Sequence, residues 1–132
     1  MTTLLLDTNV WLWMAAGSDR LGPTARALIE NADTELVLSA VSVWELSIKW
    51  ALRKLPLPVS PEEFVQTTTT QGGLRRFAIE YDHALKVASL PPIHNDPFDR
   101  LLVAQAICTG LPLLTGDRAM GRYGIAVVDA TT

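Results

Sequence analysis

Short apolar runs alternate with amphipathic stretches along this chain, and the alternation predicts strands separated by helices. Leu4–Leu6 is wholly apolar, as expected of a strand buried on both faces. Thr8 to Ala16 is apolar and rich in tryptophan, and Gly17 closes it as a helix end. Pro23 fits the first position of a second helix reaching Ala32, and Leu36–Ser39 is another short apolar strand. From Val41 to Leu55, Val43, Leu46, Trp50 and Leu55 recur at helical spacing. Lys49, Arg53 and Lys54 fall in the later turns, where cations suit the helix dipole, and Pro56 and Pro58 stop the helix.

Ser60-Pro61-Glu62-Glu63 is a helix start with Ser as cap, proline at the first position and Glu63 completing a capping box. Gly72-Gly73 ends that helix. Leu74–Ile79 is a predicted strand, Asp82–Ser89 a short helix and Leu90–Asn95 a proline-broken loop. Asp96-Pro97-Phe98-Asp99 opens a helix through Cys108, closed by Gly110. Leu113–Thr115 is a strand, Asp117–Met120 a turn or short helix, and Ile125–Val128 a last strand. No repeat or linker divides the chain, and the run Thr67–Thr70 is too short to carry meaning. The expectation is one α/β domain over residues 1–132, built as a doubly wound parallel sheet.

Composition narrows the function classes. At 132 residues and 48% hydrophobic, the chain can bury a core without metal or disulfide staples. Its single cysteine, Cys108, excludes an intramolecular disulfide and a zinc site built on several thiolates. The N-terminal apolar run is short, is followed at once by Asp7 and lacks a basic flank. It reads as neither a secretory signal nor a membrane span, so the expected compartment is the cytoplasm, away from membranes. A net charge of −3 argues against a passive nucleic-acid binder.

Four acids change that picture. In an open parallel sheet, functional groups gather beyond the carboxyl ends of the strands. Asp7 directly follows the first strand, Glu45 lies in the first turn after the second, Asp99 opens the helix after the proline-rich loop, and Asp117 follows Leu113–Thr115 by one glycine. Each has an ordinary reading. Asp7 could cap the next helix, Glu45 could complete a capping box with Ser42, Asp99 could serve the helix dipole, and Asp117 could be a turn residue. Together they bring a carboxylate to every strand end expected to converge. Clustered carboxylates need a counter-charge, and oxygen-only ligands suit Mg²⁺ or Mn²⁺. One or two such ions would support hydrolysis of a nucleic-acid phosphodiester. With these four acids set aside, the 11 Lys and Arg slightly outnumber the remaining acids, and the rest of the surface is not hostile to RNA.

Weaker candidates surround the four. Asp96 reads as the cap of its helix, with a supporting role near the metal as the alternative. The hydroxyls of Thr8, Thr115 and Ser39 could orient a ligand, and Arg100, Arg118 and Arg122 could hold RNA phosphates. His94 has no paired nucleophile. Trp11, Trp13, Trp44 and Trp50 interleave with Leu and Val at helical spacing, which favours core or partner interface over base stacking.

The segments LLLDTNVWLW (Leu4–Trp13), SAVSVWELSIKWALRKL (Ser39–Leu55), LPPIHNDPFDRLLVAQA (Leu90–Ala106) and LLTGD (Leu113–Asp117) resemble a PIN-domain ribonuclease, of the VapC-type toxin group of bacterial type II toxin–antitoxin systems. The resemblance implies an α/β/α sandwich around a parallel sheet and an Mg²⁺- or Mn²⁺-dependent endoribonuclease that leaves a 3′-hydroxyl. It matches Asp7, Glu45, Asp99 and Asp117 to the family's four acids, Thr115 to a hydroxyl near the metal, and Asp96 to the Asp-Pro-Phe-Asp signature. It also implies a homodimer, and a VapB-type antitoxin that assembles with the toxin and reaches into the site. Trp11–Met14 and the helix bearing Trp44 and Trp50 are the expected contact surfaces. Arg53 departs from the pattern, standing where relatives often carry glycine before Lys-Leu.

Two other readings stay open. A haloacid-dehalogenase-like phosphatase needs a second Asp two residues after the first, where Asn9 stands. A non-catalytic binding module would use the acids as caps and the tryptophans as a protein interface.

Overall fold

Leu4, Leu5 and Leu6 are all fully buried, because successive side chains of a central strand point to opposite faces and both faces are covered. They belong to β1 (Thr2–Leu6) in the computed structural model, which describes residues 1–132. The other strands are β2 (Thr34–Ser39), β3 (Arg75–Phe77), β4 (Leu113–Thr115) and β5 (Val127–Asp129). The helices are α1 (Thr8–Ala16), α2 (Pro23–Glu30), α3 (Ala40–Ala51), α4 (Pro61–Gln66), α5 (Tyr81–Lys86) and α6 (Pro97–Thr109). The strand order is β3-β2-β1-β4-β5, and every neighbouring pair is parallel.

Two cores flank the sheet, and the strands supply them alternately. Leu4, Leu6, Leu36, Leu38 and Leu114 point to one side, against Val10 and Trp11 of α1. Leu5, Val37 and Leu113 point to the other, against Leu102, Val103 and Ala106 of α6. Helix α3 serves both, with Leu46 in the first core and Val41 in the second. The architecture is the expected three-layer α/β/α sandwich. No helix is long and apolar enough to cross a membrane.

Several boundaries differ from the sequence reading. The predicted strand Leu74–Ile79 pairs only over Arg75–Phe77, and the last strand is shifted to Val127–Asp129. The helix expected to end at Gly72-Gly73 is α-helical to Gln66 and continues to that end as a π-helical turn over Thr67–Gln71. Its threonines do more than their short run suggested. Thr68 and Thr69 donate back to the carbonyls of Phe64 and Val65, and Thr68 accepts the buried indole N–H of Trp11 at 3.2 Å.

Helix α3 ends before Leu55 because the chain turns over at Arg53. The Lys54 N–H donates to the Lys49 carbonyl and the Arg53 N–H to that of Trp50, a Schellman ending with Arg53 in the left-handed position at φ 58°. An L side chain there crowds the following carbonyl, and glycine does not. Arg53→Gly is therefore expected to raise stability by about 1 kcal/mol. Thermal and denaturant unfolding would show it as a higher midpoint at unchanged denaturant slope.

Candidate active site

The strand order reverses beside β1: β2 and β3 lie to one side, β4 and β5 to the other. Such a switch point opens a crevice beyond the carboxyl ends of the two diverging strands. Asp7 stands at the end of β1, and Thr115, Gly116 and Asp117 stand at the end of β4. Gly116 lets the chain pass close to Trp13, since a Cβ there would lie 2.7 Å from that ring and displace it.

Asp7 is buried and occupies the cap position of α1, but its carboxylate makes no capping bond to that helix. It accepts instead from the Thr115 hydroxyl at 2.6 Å, and Thr115 Oγ1 in turn accepts the Asp117 N–H at 3.0 Å. One hydroxyl thus ties two acids across the switch point. Burial raises the Asp7 pKa, and the Thr115 bond offsets part of that rise. Asp117 caps the turn Arg118–Tyr123 by accepting from Ala119 N–H at 3.0 Å.

Glu45 projects from the second turn of α3, not the first, because the helix begins at Ala40 with Ser39 as its cap. The capping box with Ser42 does not form. Ser42 is inside the helix, and its Oγ accepts from the Thr8 hydroxyl at 2.8 Å. Thr8 therefore joins α1 to α3 rather than pointing at the acids. Ser39 is likewise occupied: it donates to Gln105 of α6 and accepts the Val41 N–H. Glu45 is only 5% exposed. Its Oε2 takes the Lys49 ammonium one turn later, while Oε1 is buried with no hydrogen-bond partner.

Asp99 sits in the first turn of α6, whose cap is Asp96. Asp96 accepts from the N–H groups of Phe98 at 2.8 Å and Asp99 at 3.4 Å, so its capping reading holds. Burial, and then the charges of Asp7, Asp96, Glu45 and Asp117, push the Asp99 pKa up to about 7. That mutual repulsion places all four predicted acids in one electrostatic neighbourhood.

The sequence profile of the PIN domain matches residues 4–126. The chain is a PIN domain. Ribonuclease VapC22 of Mycobacterium tuberculosis (strain ATCC 25618 / H37Rv) is 35% identical to it over 121 residues, covering 91% of each chain, which places this PIN domain in the VapC family. Its fold is shared by VapBC2 of Rickettsia felis bound to a promoter DNA fragment, at a TM-score of 0.71 and 13% identity over 97% of this chain and 98% of that one. DNA-bound VapBC from Salmonella typhimurium superposes at a TM-score of 0.66 and 18% identity, over 98% of each chain. At those identities the likeness is one of fold.

The PIN domain's acids suit a hard divalent cation. Their ligating atoms are all carboxylate oxygens, and the unpartnered Glu45 Oε1 is a buried acceptor that a cation would satisfy. As placed, no three of these side chains converge on one point within ligating range. Like charges repel, and three of the four lean on protein partners instead: Asp7 on Thr115, Glu45 on Lys49, Asp117 on Ala119.

Two residues near the acids were not singled out for this role by sequence. Its place in the later turns of its helix makes Lys49 a dipole partner, and its four-residue spacing after Glu45 is the signal for the ion pair. Bonding to Glu45, with the charges of Asp96 and Asp99 behind it, raises its pKa. His94 approaches from the proline-rich loop. Its Nε2 lies 3.0 Å from Asp117 Oδ2, out of line for a hydrogen bond, and its ring stacks on Tyr123. No local pattern foretold that meeting.

The arginines divide. Arg100 was expected as a phosphate contact, but its guanidinium donates to the carbonyls of Val87, Leu90, Pro91 and His94. It is spent on shaping the loop before Asp96, and is corrected to a positioning residue. Arg118 is highly exposed beside Asp129, and Arg122 is exposed on the same turn. The tryptophans divide as well. Trp11 is core and Trp13 half-buried, whereas Trp44 and Trp50 are 47% and 44% exposed on α3. Trp44 packs edge-on against Phe98, at 4.8 Å between ring centroids, so α3 and α6 meet one residue from Glu45 and Asp99.

Proposed function

We propose that this PIN domain is a metal-dependent endoribonuclease, the toxin of a type II toxin–antitoxin pair, which cuts RNA of the translation machinery (transfer or ribosomal RNA) and so arrests growth. The observation that carries this reading is the gathering of Asp7, Glu45, Asp99 and Asp117 beyond the strand ends at the switch point, with one buried carboxylate oxygen left unpartnered. Asp7, Asp99 and Asp117, with Glu45, would hold one or two Mg²⁺ or Mn²⁺ ions. Such ions, when bound, supply activation of water and charge stabilisation on the phosphodiester.

The protein's own groups set the geometry. Thr115 fixes the Asp7 carboxylate and the backbone leading into Asp117. Asp96 holds the first turn of α6, and with it Asp99, in place. Thr8 locks α1 to α3 behind Glu45. Arg118 and Arg122 stand on the exposed turn after Asp117, where phosphates of an incoming RNA would pass. The toxin assignment is supported by the name of the 35% identical relative and by the VapBC complexes that share the fold. It carries a cognate VapB-type antitoxin as partner, a homodimer joined to it in a larger assembly, a single domain over residues 1–132 and a cytoplasmic location.

The test is end-mapping of total cellular RNA after incubation with the purified protein. Discrete cuts ending in 3′-hydroxyls, present with Mn²⁺ or Mg²⁺ and absent with chelator, are the expected result. An RNA pattern identical with ion and with chelator, from protein of confirmed fold freed of any antitoxin, would favour the binding-module reading.

A further inference from the structure

Lys49 is the only lysine or arginine in ion-pair range of any of the four acids. A four-residue Glu–Lys pair on an exposed helix face contributes only a few tenths of a kcal/mol and needs no special account. This pair differs in its burial. Glu45 is almost fully enclosed, so its charge would be left uncompensated without a cation. The Lys49 side chain is 42% exposed, whereas the Glu45 carboxylate it pairs with is buried. Across from it lie Asp96 and Asp99 on α6, whose charges it also feels. The other oxygen of the same Glu45 carboxylate has no partner. One oxygen of Glu45 is thus paired with a half-exposed internal cation, and the other is open.

Resting on the nuclease reading above, we propose that Lys49 is the resident counter-cation of the acid cluster: it holds Glu45 until a divalent ion takes that carboxylate, and its released ammonium then binds the phosphate of the RNA. Lys49 and the divalent ion compete for one carboxylate, whereas Lys49 and the RNA attract. Removing its charge must therefore move the two affinities in opposite directions. A lysine that served only to stabilise the helix would move neither, or weaken both.

The experiment compares wild type, Lys49→Met, Lys49→Arg and Asp7→Asn. Calorimetry gives Mn²⁺ affinity in the absence of RNA, and steady-state cleavage at saturating Mn²⁺ gives KM and kcat. Lys49→Met should bind Mn²⁺ about fivefold more tightly, while its KM for RNA rises about tenfold and kcat falls less. Lys49→Arg, which keeps the charge, should stay near wild type in both and controls for packing. Weaker or unchanged Mn²⁺ binding in Lys49→Met, or an unchanged KM, overturns the proposal. Asp7→Asn separates this from failure of the underlying site. If it binds Mn²⁺ as tightly as wild type, the four acids are not the metal site, and the role of Lys49 falls with them.

Discussion

Asp7→Asn is expected to lower RNA cleavage by about a hundred- to a thousandfold, the scale of removing one group that stabilises a transition state, without weakening the fold. Asn keeps the shape of the side chain, and its carbonyl oxygen can still accept from the Thr115 hydroxyl that now sits 2.6 Å from Asp7. It removes the charge. That charge is costly to fold, because burial raises the Asp7 pKa and Glu45 and Asp117 add to the rise. The variant should therefore melt no lower than the wild type in chelator. Asp96→Asn is the contrasting control. Asn caps a helix as well as Asp does, so this change should leave most of the activity. Cleavage rates and melting curves taken together check both statements. A near wild-type rate in Asp7→Asn would remove the four-acid assignment.

The second large effect is on stability against pH. The Asp99 carboxyl is raised from 3.8 to about 7, and Asp7 moves in the same direction. The unfolded chain releases these protons near pH 4, whereas the folded protein keeps them longer. Between about pH 4 and pH 7 the native state thus binds more protons than the unfolded state, and stability must fall as pH rises through that window. In chelator, the melting temperature should be higher near pH 5 than near pH 8. Mn²⁺ added at pH 8 should reverse the loss, by about 2.7 kcal/mol when the ion is a hundredfold above its Kd. Asp99→Asn should flatten the pH profile and shrink the gain from Mn²⁺. A melting temperature that stays level or climbs from pH 5 to pH 8 in chelator would contradict the crowding of acids described here.

The features legible in the sequence were those that local chemistry decides. An all-apolar triplet such as Leu4–Leu6 has few places to go except the middle of a sheet, and an acid after such a triplet has few places to stand except its end. Asp7 and Asp117 are legible for that reason, whereas Glu45 and Asp99 are legible as acids near the starts of the helices α3 and α6. What the sequence withheld was the partner of each polar group. Ser42 and Glu45 have capping-box spacing, yet Ser39 starts the helix and Ser42 turns to Thr8, a choice made by the packing of α1 on α3. Arg100 looked free because the carbonyls that consume it belong to a loop whose path no periodicity dictates. The threonines of the π-helical turn acquired a role only through Trp11, a residue 57 positions away from Thr68. Arg53 stands out in the sequence as a departure from glycine, but its cost lies in its positive φ, which the sequence does not state.

The pairing of β1 with β4 has a further consequence for the order in which the molecule is made. The hydroxyl that holds Asp7 comes from a residue 108 positions later, on β4, which docks beside β1. Contacts so distant along the chain form late, after loop closure has been overcome. A nascent polypeptide still short of Thr115 therefore has Asp7 without its hydroxyl and lacks Asp117 altogether. The acid cluster is therefore complete only after β4 and the turn that follows it have been made.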